Sequence, residues 1–343
     1  MKLRLMLLSG LALATIFGAG LPAADACSRI LWNSDSSGVY SSRSLDWNEL
    51  MVPVLQARPR GVVQYGGLDE NTAHWVSKFG SVIIRAENYG GAVVDGLNEQ
   101  GLAAHLLYLG DANFGSRDER PGVSYTQWVH YVLDNFATVQ EAVEAMQEVQ
   151  IVQVPVNGQM FGIHLAIEDA NGDSAIFEHI DGKLVVHHGR QYTVMTNDPP
   201  LDEQLLNARQ YRGLGGEKDL PGDTNPSDRF VRASYFVKHL PAAKSGTQGV
   251  AYMLQLIHNV SVPFGAPYQA QGIDVEVFPT WWVTAMDLKQ RTYYFSATES
   301  PNVVWLDLKQ LNFTEGQPIR EMNLINPALV GELSRALEAT SGQ

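Results

Sequence analysis

Short runs in which apolar and polar residues alternate dominate this chain, with a few helical stripes between them. In residues 162–168, Ile163, Leu165 and Ile167 alternate with His164, Ala166 and Glu168, the period of a strand with one buried face. Similar runs predict strands at 28–33, 38–44, 81–86, 92–95 and 102–108. Others follow at 174–180, 183–187, 191–195, 281–288, 292–297 and 303–308. The first two face each other across Asn33-Ser34-Asp35-Ser36-Ser37, a turn-forming stretch that predicts a hairpin. From Ser124, the residues Tyr125, Trp128, Val129, Val132, Leu133 and Phe136 fall on one helical stripe. A second helix opens at Thr138, where Glu141 completes a capping box, and should bury Val139, Ala142, Val143 and Met146. Further helices are predicted over 202–211, 228–240 and 248–258. Strands and helices in such blocks predict stacked sheets flanked by helices, not a regular βαβ winding. No repeat, low-complexity tract or long Pro/Ser linker divides residues 27–343, so one domain is expected.

The first 26 residues follow a different pattern. Lys2 and Arg4 precede an apolar run from Leu5 to about Gly20, and small residues lead to Ala24-Asp25-Ala26, the layout of a secretory signal peptide. The run is too short for a membrane span. Cleavage after Ala26 makes Cys27, the only cysteine, residue one of the mature chain. Three roles are open to it: a reactive thiol, an inert buried thiol, or the lipid-modified residue of a lipoprotein. Lipid modification wants an aliphatic residue three positions before the cysteine and small residues between; here Ala24 and Asp25 fill those positions. A lone cysteine has no intramolecular disulfide to form, even in an oxidising compartment. An N-terminal one gains a base, because the freed α-amine, with a pKa of about 8, can take the thiol proton.

Charge narrows the partners. Removing residues 1–26 takes away Lys2, Arg4 and Asp25, and the formal charge goes from -13 to -14. That balance argues against nucleic acid and anionic membrane surfaces. No later segment has the length or apolarity of a transmembrane helix, so a soluble exported globule, periplasmic or secreted, is expected. There is no G-x-S-x-G, Walker loop or H-E-x-x-H. His187 and His188 are adjacent on a predicted strand, point to opposite faces and make a poor metal pair. Gly90, Gly91 and Gly96 mark turns, since no helix start follows them to cradle a phosphate. Trp281 and Trp282 are expected in a sheet with one side in the core. Neither metal nor cofactor is predicted.

Four stretches follow Cys27 in a telling order. They are Arg43-Ser44-Leu45-Asp46-Trp47, Asp95-Gly96-Leu97-Asn98-Glu99-Gln100-Gly101-Leu102, Thr196-Asn197-Asp198-Pro199, and Leu220-Pro221-Gly222-Asp223 leading into Asp228-Arg229-Phe230-Val231-Arg232-Ala233. With a cysteine at a cleavage site, this series resembles the choloylglycine hydrolase family, the penicillin V acylases and bile salt hydrolases. The likeness runs from Cys27 to about Leu308. It implies an α+β Ntn-hydrolase fold, a four-layer αββα sandwich of two antiparallel sheets between helical layers, acting on small acyl-amide substrates without a cofactor.

By that resemblance, Cys27 attacks the amide carbonyl through sulfur while its own α-amine moves the thiol proton to the leaving amine. Arg43 would favour the thiolate, and Asp46 would accept a hydrogen bond from the α-amine. Asn197 and the backbone N–H of Tyr108 would face the oxyanion, and Arg229 would hold the polar network around Asp46 and Cys27. Outside that context Arg43 reads as a surface arginine, and Asp46 and Asn197 as turn residues. Arg232 is expected to be structural, as is Asn98 in a tight Asp-Gly-Leu-Asn turn. Tyr108 stands where bile salt hydrolases have Asn, and Trp47 matches an aromatic of the Gram-negative acylases. Together they imply an aromatic-lined acyl pocket suited to penicillin V and N-acyl homoserine lactones. Conjugated bile salts are the alternative substrates, and an exported or lipid-anchored binding protein is the reading of another class. The resemblance leaves a homo-tetramer and a homo-dimer open, because residues 197–229 are fewer than in the extended hairpin that helps tetramer assembly in Gram-positive members.

Overall fold

The computed structural model of the chain describes residues 27–34, 38–266, 269–270, 273–274 and 278–339. The expected signal peptide and the hairpin-turn residues 35–37 lie outside the described residues. Strands β1 (Ser28–Ser34) and β2 (Gly38–Asp46) pair antiparallel from Ser28↔Ser44 to Ser34↔Gly38. They belong to a seven-stranded sheet ordered Val194–Met195, β1, β2, Thr280–Asp287, Thr292–Ala297, Val304–Asp307 and Gly331–Glu332. Its neighbours are antiparallel except the last pair. A nine-stranded antiparallel sheet runs Lys183–His188, Ser174–Ile180, Ile163–Glu168, Ala103–Tyr108, Ala92–Asn98, Ser81–Ala86, Pro53–Arg58, Arg320–Asn323 and Glu338–Ala339.

Helices α1 (Trp128–Asn135) and α2 (Val139–Ala145) pack on the nine-stranded sheet. Helix α3 (Leu201–Ala208) packs on α4 (Pro226–Lys238), and α4 with α5 (Gly246–Val260) covers the seven-stranded sheet. The result is an αββα sandwich. Local chemistry starts these helices: Asn225 accepts from the Asp228 N–H with Pro226 behind it, and Ser245 accepts from the Gln248 N–H.

Both faces of the central strands are covered, so alternation separates two apolar layers. In β1, Ile30 and Trp32 pack with Phe230 and Met253 of the helices, while Leu31 joins Leu97 and Trp282 in the other layer. Each such side chain contributes roughly 1.5–3 kcal/mol on burial. The Ile163–Glu168 strand corrects the prediction of one buried face, since all six of its residues are buried. Its polar members are paired: His164 with Glu178 and Glu168 with Arg29. Gly96 likewise sits inside a strand, where a Cβ would meet Leu133 Cδ1 at 2.6 Å and the Val82 carbonyl oxygen at 2.7 Å. Close approach of α1, not a turn, calls for glycine there. Asp95 to Asn98 are strand residues too, and Asn98 donates to the Leu133 and Phe136 carbonyls, tying the end of α1 to the sheet.

Candidate active site

The β1–β2 register decides where the site forms. Because Ser28 pairs with Ser44, Cys27 lies beside the end of β2, where its thiol donates to the Asp46 carbonyl oxygen at 3.6 Å. Asp46 is fully buried, and its carboxylate accepts from Thr280 Oγ1 at 2.5 Å and from Ser44 Oγ at 3.0 Å. Arg229 reaches in from the first turns of α4. Its Nη1 donates to the Cys27 carbonyl and to Ser28 Oγ, each at 2.6 Å, and its Nη2 to Asn197 Oδ1 at 3.0 Å. The same Nη1 stands 4.0 Å from Asp46 Oδ2. Only a guanidinium can serve so many acceptors in one fork.

Asn197 follows the Val194–Met195 strand that edges β1. Its Oδ1 accepts from the Cys27 nitrogen at 2.5 Å, and its Nδ2 donates to the Tyr108 carbonyl at 2.7 Å. Arg43 pairs with Arg29 and Thr284 across the sheet and lies 4.8 Å from the Trp282 ring centroid, a cation–π contact. Its Nη2 donates to the Leu106 carbonyl at 2.9 Å, while Nε and Nη1 are buried without hydrogen-bond partners. Cys27, Arg43, Asp46, Asn197 and Arg229, scattered over the sequence, thus meet around one sulfur.

In the full-length chain the Cys27 nitrogen is a peptide amide whose one hydrogen goes to Asn197, and the Asp46 oxygens accept from Thr280 and Ser44. The Asn197 amide is turned to the Tyr108 carbonyl, not outward. The thiol is not drawn toward thiolate: burial pushes it up to about 11, and Arg43 and Arg229 offset only part of that. Burial likewise raises Asp46 to about 7 against the opposing pull of Arg229 and of the Thr280 and Ser44 hydrogen bonds. With the thiol neutral, two guanidinium groups face at most one carboxylate charge, which leaves the site net positive whether or not Asp46 is protonated.

From Cys27 a cavity opens into the nine-stranded sheet. The Ala92–Asn98 and Ala103–Tyr108 strands pair from Leu97↔Ala103 to Asp95↔His105, and beyond that register Val94 and Leu106 line the cavity. Trp47 stands at its wall, with the rings of Tyr108, Phe161 and Phe278 centred 5.8, 5.8 and 5.7 Å away. The Trp47 Nε1 donates to Tyr89 Oη at 2.6 Å, and Trp281 Nε1 donates to the Trp47 carbonyl at 2.9 Å. Sequence reasoning found Trp47 and Tyr108 but missed Tyr89, Tyr125 and Phe161, since nothing in the chain separates a cavity aromatic from a core one. Arg232 donates to the Pro221 and Asp223 carbonyls, holding the loop before α4. His188 pairs with Asp173 and His187 faces Glu178; among the described residues no three His, Cys, Asp or Glu converge to hold a metal.

The family model of linear amide C–N hydrolases, choloylglycine hydrolase family, matches residues 27–321. A penicillin V acylase of Pectobacterium atrosepticum is 37% identical over 312 aligned residues, covering 84% of this chain and 82% of that protein. A bile salt hydrolase/transferase of Bifidobacterium longum is 26% identical, covering 81% and 93%. The solved penicillin V acylase of Agrobacterium tumefaciens superposes with a TM-score of 0.82 at 36% identity, covering 92% of this chain and 98% of that one. A conjugated bile acid hydrolase of Clostridium perfringens shares the fold, with a TM-score of 0.74 at 20% identity over 89% of this chain and 98% of its own. The chain therefore belongs to the choloylglycine hydrolase family and is a hydrolase of linear amide C–N bonds.

Proposed function

We propose that residues 1–26 direct export, that their removal starts the mature chain at Cys27, and that the periplasmic or secreted enzyme cleaves penicillin V and N-acyl homoserine lactones. The observation that carries this is a buried cysteine, its thiol on the Asp46 carbonyl and its backbone held by Asn197 and Arg229, at the head of an apolar cavity walled by Trp47 and Tyr108. The family match opening at Cys27 supports the maturation point. The 37% and 36% identities to two penicillin V acylases, and Tyr108, support the acyl preference over bile salts.

Freed from Ala26, the α-amine gains a lone pair in its neutral form. It takes the Sγ proton as sulfur bonds to the substrate carbonyl carbon and the carbonyl electron pair becomes an oxyanion. When the C=O re-forms, the C–N bond breaks and the ammonium gives its proton to the leaving nitrogen. Water then attacks the thioester, its proton goes to the amine, and the acid leaves as the thiol is restored. Arg43 and Arg229 balance the negative charge while it exists.

The test is mass spectrometry of the exported protein's N-terminus, with a panel of penicillin V, acyl homoserine lactones of several lengths and glycocholate. A chain starting at Cys27 is expected, and Cys27→Ser should lower kcat/KM by roughly 10³ or more while the protein stays folded. A diacylglyceryl adduct on Cys27, or full activity of the serine variant, would overturn the mechanism. Faster turnover of glycocholate than of penicillin V would make it a bile salt hydrolase.

A further inference from the structure

The cavity holds one phenol with nothing to bind. Tyr125 occupies the short turn Tyr125–Gln127 between the Gly122–Ser124 strand and α1. The residue is 3% exposed and lines the same cavity as Cys27, and its hydroxyl is buried without a hydrogen-bond partner. The turn pins it there: Ser124 Oγ accepts from the Thr126 N–H, and the Trp128 N–H donates to the Tyr125 carbonyl. The Tyr89 phenol in the same cavity is satisfied, since its hydroxyl accepts from Trp47 Nε1 and donates to Glu49, each at 2.6 Å. The rest of the lining is largely apolar, with Val94, Leu106, Val156 and Ile163 among its residues, and no side chain in it accepts from the Tyr125 hydroxyl. Phenylalanine would fill this space without stranding a polar group, so the hydroxyl is explained best by something that enters the cavity.

We infer that Tyr125 determines acyl specificity: its hydroxyl donates a hydrogen bond to an ether or keto oxygen carried on the acyl group of the substrate, away from the scissile amide. The inference rests on the amidase reading above and deepens it. Burial raises the phenol to about 12, so it is a neutral donor at any working pH. A site built to bond an oxygen rejects an analogue lacking it, because the donor is then left unpaired in an apolar wall. Phenoxyacetyl and 3-oxoacyl groups carry such an oxygen; phenylalkanoyl and saturated acyl groups do not.

Matched substrates test this. Phenoxyacetyl and 3-phenylpropanoyl amides of one amine differ only by O in place of CH₂, and 3-oxoacyl and saturated acyl homoserine lactones form a second pair. The wild type should favour the oxygen-bearing member by roughly tenfold in kcat/KM. Tyr125→Phe should abolish that preference, its kcat/KM falling by roughly tenfold on the oxygen-bearing member of each pair relative to the member without the oxygen. Without turnover, phenoxyacetate should raise the melting temperature of wild type more than that of the variant, and 3-phenylpropanoate should raise both equally. A preference that survives in Tyr125→Phe, or an equal loss on both members of a pair, would sink the inference. If no amide is cleaved at all, the amidase reading fails, and equal melting shifts with phenoxyacetate would then dispose of Tyr125 separately.

Discussion

At the scale of the residue, the site turns on a thiol that its own surroundings keep protonated. Burial pushes Cys27 up to about 11 although two guanidinium groups face it, so at pH 8 only about one thiol in a thousand is ionised. A preformed thiolate is therefore not the resting state, and a nearby base must take the proton during attack. While the Cys27 nitrogen is in a peptide bond it has no lone pair to offer. A chain retaining Ala26 should thus react slowly with iodoacetamide at pH 8, the rate rising about tenfold per pH unit toward 11. The processed chain should label much faster at pH 8, as followed by mass spectrometry. Equal rates for the two forms would mean that the amine is not the base. Cys27, Arg43, Asp46, Asn197 and Arg229 were legible because each lies in a recognisable stretch. Ser28, Ser44 and Thr280, which hold the partners of that thiol, were not, because a hydroxyl that positions a neighbour looks like any strand hydroxyl.

At the scale of the element, α3 sets the loop that carries Asn197. Its N-cap is Pro200, which makes no side-chain cap, so the exposed helix N–H groups need another anion. Glu178 supplies it from the neighbouring sheet, accepting from the Leu201 N–H with both oxygens at 3.2 Å. His164 and His187 flank the carboxylate at 3.2 and 3.4 Å. Burial alone would raise Glu178, yet the two histidines hold it down to about 2. From the same helix, Gln204 Nε2 donates to the carbonyls of Asn197 and Asp198, and Asp198 accepts from the N–H groups of Gly110 and Asp111 beyond Tyr108. Glu178→Gln should lower stability by about 1–2 kcal/mol and reduce kcat more than it raises KM, since Asn197 loses its footing. A lower melting temperature with kcat unchanged would show that Arg229 and Tyr108 place Asn197 by themselves. Helix α2 was legible from its cap, with one difference in detail: Glu141 reaches back to the Ala137 N–H while Thr138 accepts from Glu141; the caps Asn225 and Ser245 were not read, so α4 and α5 begin earlier than predicted. The Pro53–Arg58 strand was not legible, because Pro53 opens it and Gln56 and Arg58 are buried polar residues that break its pattern.

At the scale of the whole molecule, the two sheets are joined by a buried charged network that no local pattern reveals, because its bonded partners lie up to 198 residues apart and meet only when the layers close. Arg29, Ser41, Thr284 and Tyr293 from one sheet meet Glu168, His105 and Asp95 from the other. His105 bridges the acids, with Nδ1 on Asp95 and Nε2 on Glu168, and all three are fully buried. Burial alone would depress the imidazolium, but the Glu168 and Asp95 carboxylates hold His105 up to about 9. Glu168 is pulled the other way, to about 2, by Arg29 and His105 against the effect of burial. A histidine raised in the folded state adds stability that is complete below its unfolded pKa of about 6.5 and lost as pH climbs through 9. A glutamate lowered in the folded state adds stability that is complete above its unfolded pKa of about 4.3 and lost as pH falls toward 2. The network therefore holds best between about pH 4.5 and 6.5. Because other buried groups also titrate, the network's share must be read as a difference between proteins. Urea unfolding of wild type and His105→Gln at pH 6 and pH 9 isolates it: wild type should lose up to a few kcal/mol more than the variant over that interval. Parallel losses in the two proteins would mean that His105 is neutral in the fold, and that the sheets are held together at this point by Arg29 and Glu168 without it.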